Sequence, residues 1–583
     1  MRRTVLVMAA TLLAALAAAG EGRAAADKVR RLPVKEYVDK MKAGWVGQMA
    51  GVGQGGPTEF RVKGEIMAPD VVPKWQPAMI NQFGQDDLYV EMTFLRTLEV
   101  HGLDVSIRQA GIDFAASGYD LWHANNAGRT NLRKGIAPPD SSHPKFNGCA
   151  DDIDYQIEAD FSGLVAPGLP NVTIALGETF GRLMNYGDGM YAGQFVGALY
   201  GEAFFESDMV RIIRVALKAV PADSQYAGMV RDVLAWHEAD PDDWEKTWGL
   251  VEKKYHEDPK YTHGLCSGPG KKGAFSIDAK LNGAYILLGL LYGKGDPDRT
   301  IVIATRCGQD SDCNPSNAGG VLFTTIGFEK LPDVYKSAID PDGKFSHTPY
   351  NFPTLIQVCE KLARQAVARS GGRIEKDDKG DEVFVIPIQD PKPSALMRSW
   401  EPGPIADSKF TAEEMAKIQE TVGAEAKARA AEDRATRMVP EAVFKAFEAW
   451  APGWKMADCG KDMDPGLRKE LAGRQDVFVT HPLNRAIGCV LSRKVAVPAG
   501  KKTALRLEVG HDERGDWDLL VRVDGKEVLR KTVGKDTAPN TWMEVPVDLS
   551  AWAGKEVRLE LVNQPTEWSW EAAFWSKIEI ASQ

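Results

Sequence analysis

Apolar residues recur mostly at helical spacing across residues 34–368. After the acidic pair Asp86-Asp87, the side chains of Leu88, Met92, Leu95 and Leu98 fall on one helix face. Residues 190–205 set Gly and Ala between aromatics, the composition of a tightly packed buried helix, and residues 281–292 and 318–326 read the same way. Several apolar helices joined by polar loops predict a helical globule, not a doubly wound sheet. Residues 120–168 break the pattern with Pro138-Pro139, His143-Pro144 and many polar side chains, and read as a long functional loop. From residue 441 the period shortens to two, with alternation at 505–509, 519–523, 545–549 and 557–562 and the hairpin signal Asp524-Gly525. Short strands at this spacing predict a β-sandwich of jelly-roll type. Between the two regions, residues 370–440 read as a linker: a Lys/Asp cluster, a Pro-rich segment at 387–404, and a charged helix at 411–438 whose charges face water.

The chain has 583 residues, too many for a single core. Its net charge of −10 disfavours nucleic acid or an anionic membrane as partner. Residues 1–26 stand outside the fold. Arg2 and Arg3 precede an apolar run at residues 5–19, and Ala24-Ala25-Ala26 suits cleavage before Asp27. The run is short of the ~20 residues of a membrane span, so an exported protein (periplasmic or extracellular) with no stable span is expected. Seven cysteines make an odd count without the spacing of a disulfide framework. Cys307 and Cys313 flank an acidic pair and invite a disulfide or soft-metal reading, against the alternative of buried free thiols. Trp517, Trp542, Trp552, Trp568, Trp570 and Trp575 fall in the strand region, either as core residues or as platforms for sugar rings.

Two acidic pairs carry the chemistry: Asp86-Asp87 in GQDDLYVEM and Asp310-x-Asp312 in GQDSDCNPSNAGG. Each sits where a Gly-containing turn gives way to an apolar-periodic segment, hence at a helix N-terminus. Brought together, like charges about 4 Å apart repel by roughly 4 kcal/mol per pair at an effective dielectric near 20. Protons or divalent cations must neutralise them, which points to a hard-cation site. The alternative is that Asp86 and Asp312 are simple helix caps.

The first 370 residues resemble the ADP-ribosylglycohydrolase family. Its early Gly-rich helix and following Glu are similar to Gly47-Gln-Met-Ala-Gly51 running on to Glu59. Its Thr-Asp-Asp resembles Gln85-Asp86-Asp87, and its Gly-Asp-x-Asp-Thr resembles Gln309-Asp310-Ser311-Asp312-Cys313. The resemblance implies an all-α catalytic domain over 27–369 around a di-metal centre of two Mg²⁺, with Mn²⁺ possible. It implies Gln85, Asp86, Asp87, Asp310 and Asp312 as metal ligands, and Glu59, Asp86 and Asp87 as catalytic groups. Gln85 and Cys313 replace two threonines, and a thiol is a poor ligand for a hard cation.

Asn125, Asn126, Arg129, Asp151, Asp152 and Tyr191 are candidate substrate-binding residues, since amides, Arg and carboxylates hydrogen-bond polyhydroxylated ligands. Asp151, Asp152 and Asp154 would equally bind a third cation or cap the next helix. The whole reads as a metal-dependent hydrolase of glycosidic bonds with a galactose-binding-like sandwich at 441–583, acting on a carbohydrate or glycoconjugate. The alternatives are hydrolysis of ADP-ribosyl-protein bonds and a non-catalytic glycan-binding protein.

Overall fold

A strand, β1 (Val29–Pro33), runs directly into α1 (Val34–Gly55) at the start of the chain described by this computed structural model. Described are residues 28–583 apart from residues 264, 271 and 567–569, so the expected leader and Trp568 lie outside the described residues. The helices that build the first unit include α2 (Asp86–His101), α3 (His123–Arg133), α4 (Asp188–Ala203), α5 (Ala279–Tyr292), α6 (Cys313–Ile326) and α7 (Phe352–Arg369). α5 is buried at every residue and α4 at every residue but Glu202, as helices apolar all round must be.

Gly47, Gly51 and Gly55 form a four-residue stripe along α1, and α6 lies against it at backbone distance. A Cβ on Gly47 would stand 2.3 Å from the Gly319 carbonyl oxygen, one on Gly51 2.2 Å from Ser316 N, and one on Gly55 2.1 Å from Ser311 O. Only glycine permits this approach. It holds the loop carrying Asp310 and Asp312 against the end of α1, where Glu59 follows.

Two expectations need correction. Residues 370–387 are not linker: β2 (Arg373–Lys376) and β3 (Glu382–Pro387) join β1 in an antiparallel sheet of order β1-β3-β2, with Val29 opposite Pro387 and Val385 opposite Arg373. The pairing partner lies some 350 residues upstream, beyond the reach of local pattern. After it, an irregular strap is tied to the helices: Tyr191 Oη donates to Ala395 O at 2.5 Å, and Asp140 accepts from Ala406 N and Ser408 N. Residues 120–168 are likewise not one loop but contain α3 and the short helices Asp154–Ile157 and Asp160–Leu164. These helices are short and pack apolar residues such as Leu132, Tyr155, Phe161 and Leu164 into the core, too few for a helical period to stand out.

α8 (Ala412–Thr436) carries the chain across the boundary between two compact units, the first ending at Val422 and the second running Gly423–Gln583. The second unit comprises α9 (Glu441–Trp450) and strands β4 (Lys455–Ala457), β5 (Gly466–Leu471), β6 (Arg474–Thr480), β7 (Cys489–Ala496), β8 (Thr503–His511), β9 (Trp517–Val523), β10 (Lys526–Val533), β11 (Trp542–Asp548), β12 (Glu556–Gln564) and β13 (Ala573–Ser582). They form two five-stranded antiparallel sheets, β10-β9-β12-β7-β4 and β11-β8-β13-β6-β5. The hairpin at Asp524-Gly525 is present, with φ of 49° and 80°, both in the left-handed region such a turn requires. Trp517 and Trp575 are core residues with ring centroids 5.4 Å apart, whereas Trp570 is 41% exposed. Among the described residues no helix is long and apolar enough to cross a membrane.

Candidate active site

A cavity of about 360 Å³ opens where the loops before α2 and α6 meet the end of α1. Glu59, Gln85, Asp86, Asp154 and Asp310 line it, with Cys313 at its base and an apolar wall that includes Phe60, Tyr89, Trp122 and Phe275. Asp87 and Asp312 stand directly behind, both almost fully buried. The two acidic pairs are therefore one site. Gln85 and Asp312 occupy the cap positions of α2 and α6, yet neither side chain makes a cap hydrogen bond. Gln309, left-handed at φ 55°, ties three loops around the cavity. Its carbonyl accepts from Phe60 N, its side-chain oxygen from Ser276 N, and its Nε2 donates to Ala274 O.

Electrostatics follow from the crowding. Burial first, then Asp86 and Asp312, push the Asp87 carboxyl well above its ordinary range. Asp310 is raised by burial and then by Asp312, Asp87 and Glu59. Asp312 is pushed up to about 6, by burial and then Asp86. Glu59, although open to solvent at the mouth, is raised to about 8 by the protein around its carboxyl and then by Asp312 and Asp86. Both oxygens of Asp87 and Oδ2 of Asp310 are buried without a hydrogen-bond partner. Burial also pushes the Cys313 thiol well above its usual value, so it stays protonated; Sγ donates to Asp312 Oδ1 at 3.8 Å. This donor set is all oxygen, unneutralised, and suited to hard cations.

The family model described as ADP-ribosylglycohydrolase matches residues 33–372, well over half the chain. The chain belongs to the ADP-ribosylglycohydrolase family. Membership carries a glycohydrolase type of function. Among solved structures, an ADP-ribosylglycohydrolase-related protein complex is similar at 13% identity and TM-score 0.35, covering 57% of this chain and 99% of that one. A family 35 carbohydrate-binding module from Clostridium thermocellum matches at 13% identity and TM-score 0.17, over 22% of this chain and 92% of that one. The CBM22-1 xylan-binding domain of Paenibacillus barcinonensis Xyn10C matches at 13% and 0.18, over 23% and 86%. No curated protein matches.

Within this ADP-ribosylglycohydrolase fold none of the six residues expected to bind substrate lines the cavity, and five of them hold other partners. Arg129 is spent on backbone, donating through Nη1 to Ser117 O and Tyr119 O. Asn125 Nδ2 donates to Glu158, and its backbone N–H donates to Asp154 Oδ2 at 2.5 Å. Asn126 is exposed away from the cavity lining. Asp152 accepts from Ala124 N at the start of α3, an earlier helix than the one it was expected to cap, and from Asn185 Nδ2 and Asp154 N. Asp151 accepts from Ser399 Oγ in the strap, and Tyr191 pins that strap. Asn, Arg and Asp suit buried loop anchoring as well as sugar binding, and residue type alone does not separate the two.

Asp154, expected to bind a third cation or cap the next helix, lines the cavity; Glu158 was missed. Asp154 opens the short helix Asp154–Ile157 and Glu158 follows its end, four residues on; both carboxyls are raised well above their usual range, by burial first and then by neighbouring carboxylates that include Asp86 and Asp87. The i, i+4 spacing of the two acids was the available signal. Cys307 and Cys313 form no disulfide; both are buried free thiols. Cys149 and Cys266 are bridged instead, beside His123. The bridge ties the segment carrying Phe275 to the loop that leads to Asp154, and removes both sulfurs as thiolate ligands.

Proposed function

We propose that this chain is an exported, metal-dependent hydrolase that cleaves a glycosidic bond in a carbohydrate or glycoconjugate. The observation that carries the reading is a cavity lined by carboxylates and aromatic rings, with no Lys or Arg among the described lining residues. Such a wall accepts a neutral sugar and offers no basic partner to a diphosphate. Asp86, Asp87, Asp310 and Asp312, with the amide oxygen of Gln85, would hold two Mg²⁺ or Mn²⁺ ions. Bound there, the ions supply Lewis acidity and a water of lowered pKa. With the ions bound, their positive charge would bring the Glu59 carboxyl down from its raised metal-free value of about 8 and let it take a proton from water entering the cavity. Phe60 and Phe275, with ring centroids 4.8 Å apart, give an apolar face on which a sugar ring can lie. The apolar run at residues 5–19 and the Cys149–Cys266 bridge support export, because disulfides persist in oxidising compartments.

Incubating the purified protein with a glycan panel and with ADP-ribosylated protein, with and without EDTA, tests the reading. The expected result is release of reducing ends from a glycan, lost in EDTA. Release of ADP-ribose with no glycan cleaved would instead support a second reading, hydrolysis of ADP-ribosyl-protein bonds, which the family's own description favours.

A further inference from the structure

One turn past Asp87, α2 directs a second carboxylate inward. Glu91 is fully buried, as are Asp160, Gln48 on α1, Tyr200 on α4 and Asn317 on α6. Each acid is anchored through one oxygen only. Glu91 Oε2 accepts from Phe161 N at 2.8 Å, and Asp160 Oδ2 accepts from Asn317 Nδ2 at 2.7 Å. The other oxygens, Glu91 Oε1 and Asp160 Oδ1, lack a close partner, as do Asn317 Oδ1, both amide atoms of Gln48 and the Tyr200 hydroxyl.

These groups share one spot. Asp160 is the largest influence on Glu91 after burial, and the Tyr200 hydroxyl, close to Glu91 as well, lies within loose hydrogen-bond reach of Asp160 and Gln48. Gly320 leaves the space for them: a Cβ there would fall 1.6 Å from Tyr200 Oη and 3.0 Å from Gln48 Cγ. No basic side chain is among the groups acting on Glu91, Asp160 or Tyr200. The inventory is unbalanced: with both acids ionised, four acceptor oxygens without a close partner and two negative charges stand against a single amide N–H₂ and a hydroxyl, and burial raises both carboxyls, Asp160 to about 7. Water would supply donors but no charge; only protons on the acids or a bound cation neutralise the pair. A carboxylate with one oxygen fixed by a hydrogen bond and the other presented is how proteins hold ligands for a metal. Two acids and two amide oxygens match the charge and the irregular oxygen geometry that Ca²⁺ tolerates.

We propose that Gln48, Glu91, Asp160 and Asn317 hold a buried Ca²⁺-type cation, separate from the cavity site and independent of the substrate assigned above. It braces α1, α2 and α6 behind Asp87. The test uses the full chain with the cavity site disabled by Asp310→Ala and Asp312→Ala, equilibrated with Ca²⁺, desalted and analysed for bound metal and melting temperature. This protein is expected to retain a single Ca²⁺ per chain and to melt higher with Ca²⁺ than after chelation. Adding Glu91→Gln is expected to remove both effects. Gln48→Leu gives a second reading that does not depend on Glu91→Gln folding, because the only protein contact the Gln48 amide has to lose is a loose one to the Tyr200 hydroxyl. Leucine there would be neutral or stabilising in an ion-free core, but removes the bound Ca²⁺ if Gln48 is a ligand. No retained Ca²⁺ in the cavity-disabled protein, or equal retention after Gln48→Leu, overturns the proposal.

Discussion

The two units bury polar groups differently. In the sandwich, Asn563 Oδ1 is the one buried side-chain polar atom without a partner among the described residues, and the core between the sheets is Val, Leu and Trp. The helical unit carries a series of them, from Gln48 through Asp87, Glu91, Glu158 and Asp160 to Asp310 and Asn317. Unsatisfied buried polar groups cost roughly 1–3 kcal/mol each, and more when charged. A fold bears that cost where it has chemistry to perform. The sandwich is built for stability, while the helical unit gives up stability at its acidic centre, α1 and α6 being clamped by glycine contacts around it.

The sharpest way to break this contrast is at Asp310. Asp310→Ala is expected to lower hydrolysis at least about 10²-fold, the scale for removing one charged group that stabilises a reacting centre. The same change should raise the melting temperature of the chelated protein, because it deletes a carboxylate raised by burial and by Asp312, Asp87 and Glu59. Activity falling while metal-free stability rises is the signature of a centre that trades stability for function. A loss of both would make Asp310 a structural residue.

In the sandwich the same logic predicts no trade. Trp575 is fully buried against Trp517, and its Nε1 donates to Thr480 Oγ1 at 2.9 Å. Trp575→Ala should cost about 3–5 kcal/mol and lower the sandwich's melting transition, with turnover of a small soluble substrate unchanged. If turnover falls in step, the sandwich is a folding partner of the helical unit and the contrast fails.

Gly51→Ala probes the clamp that brings the acidic loops together. The added methyl would meet Ser316 N at 2.2 Å and Pro315 C at 2.4 Å, backbone atoms with no freedom to rotate away. Overpacking of this kind costs about 1–3 kcal/mol. The helical transition should drop, and hydrolysis should fall further than the stability loss explains, since α6 carries Asp312 with it. Thermal melting measured beside kcat separates the two.

Legibility in the sequence divides along the same line. The sandwich could be read from alternation at 505–509 and 519–523, and its hairpin from Asp524-Gly525, because one buried face and a left-handed turn leave local traces. The acidic pairs were legible because doubled acids at two helix starts have few purely structural uses. Gln309 was not: its hydrogen bonds run to residues 60, 274 and 276, and nothing in its neighbourhood forecasts them. The sheet β1-β3-β2 and the Cys149–Cys266 bridge were hidden for the same reason, each joining segments more than a hundred residues apart. Asn125, Arg129 and Asp152 had the right chemistry for a sugar but were committed to backbone and to other side chains, which only packing reveals.

The smallest expected effect lies at Cys313. Its thiol is buried, protonated and turned toward Asp312, at the position where the motif it resembles has threonine. Threonine is close in volume and replaces a soft sulfur by a hydroxyl oxygen that a hard cation accepts. Cys313→Thr should therefore tighten Mg²⁺ or Mn²⁺ binding by about threefold, below 1 kcal/mol and small beside the carboxylates that dominate the site. The melting temperature should stay nearly constant, because the β-branched side chain begins a helix rather than filling its interior. Calorimetric titration of metal into wild type and variant measures the difference. A large gain would mean that the thiol holds the centre open against metal; weaker binding would mean that sulfur, not oxygen, suits the resident ion.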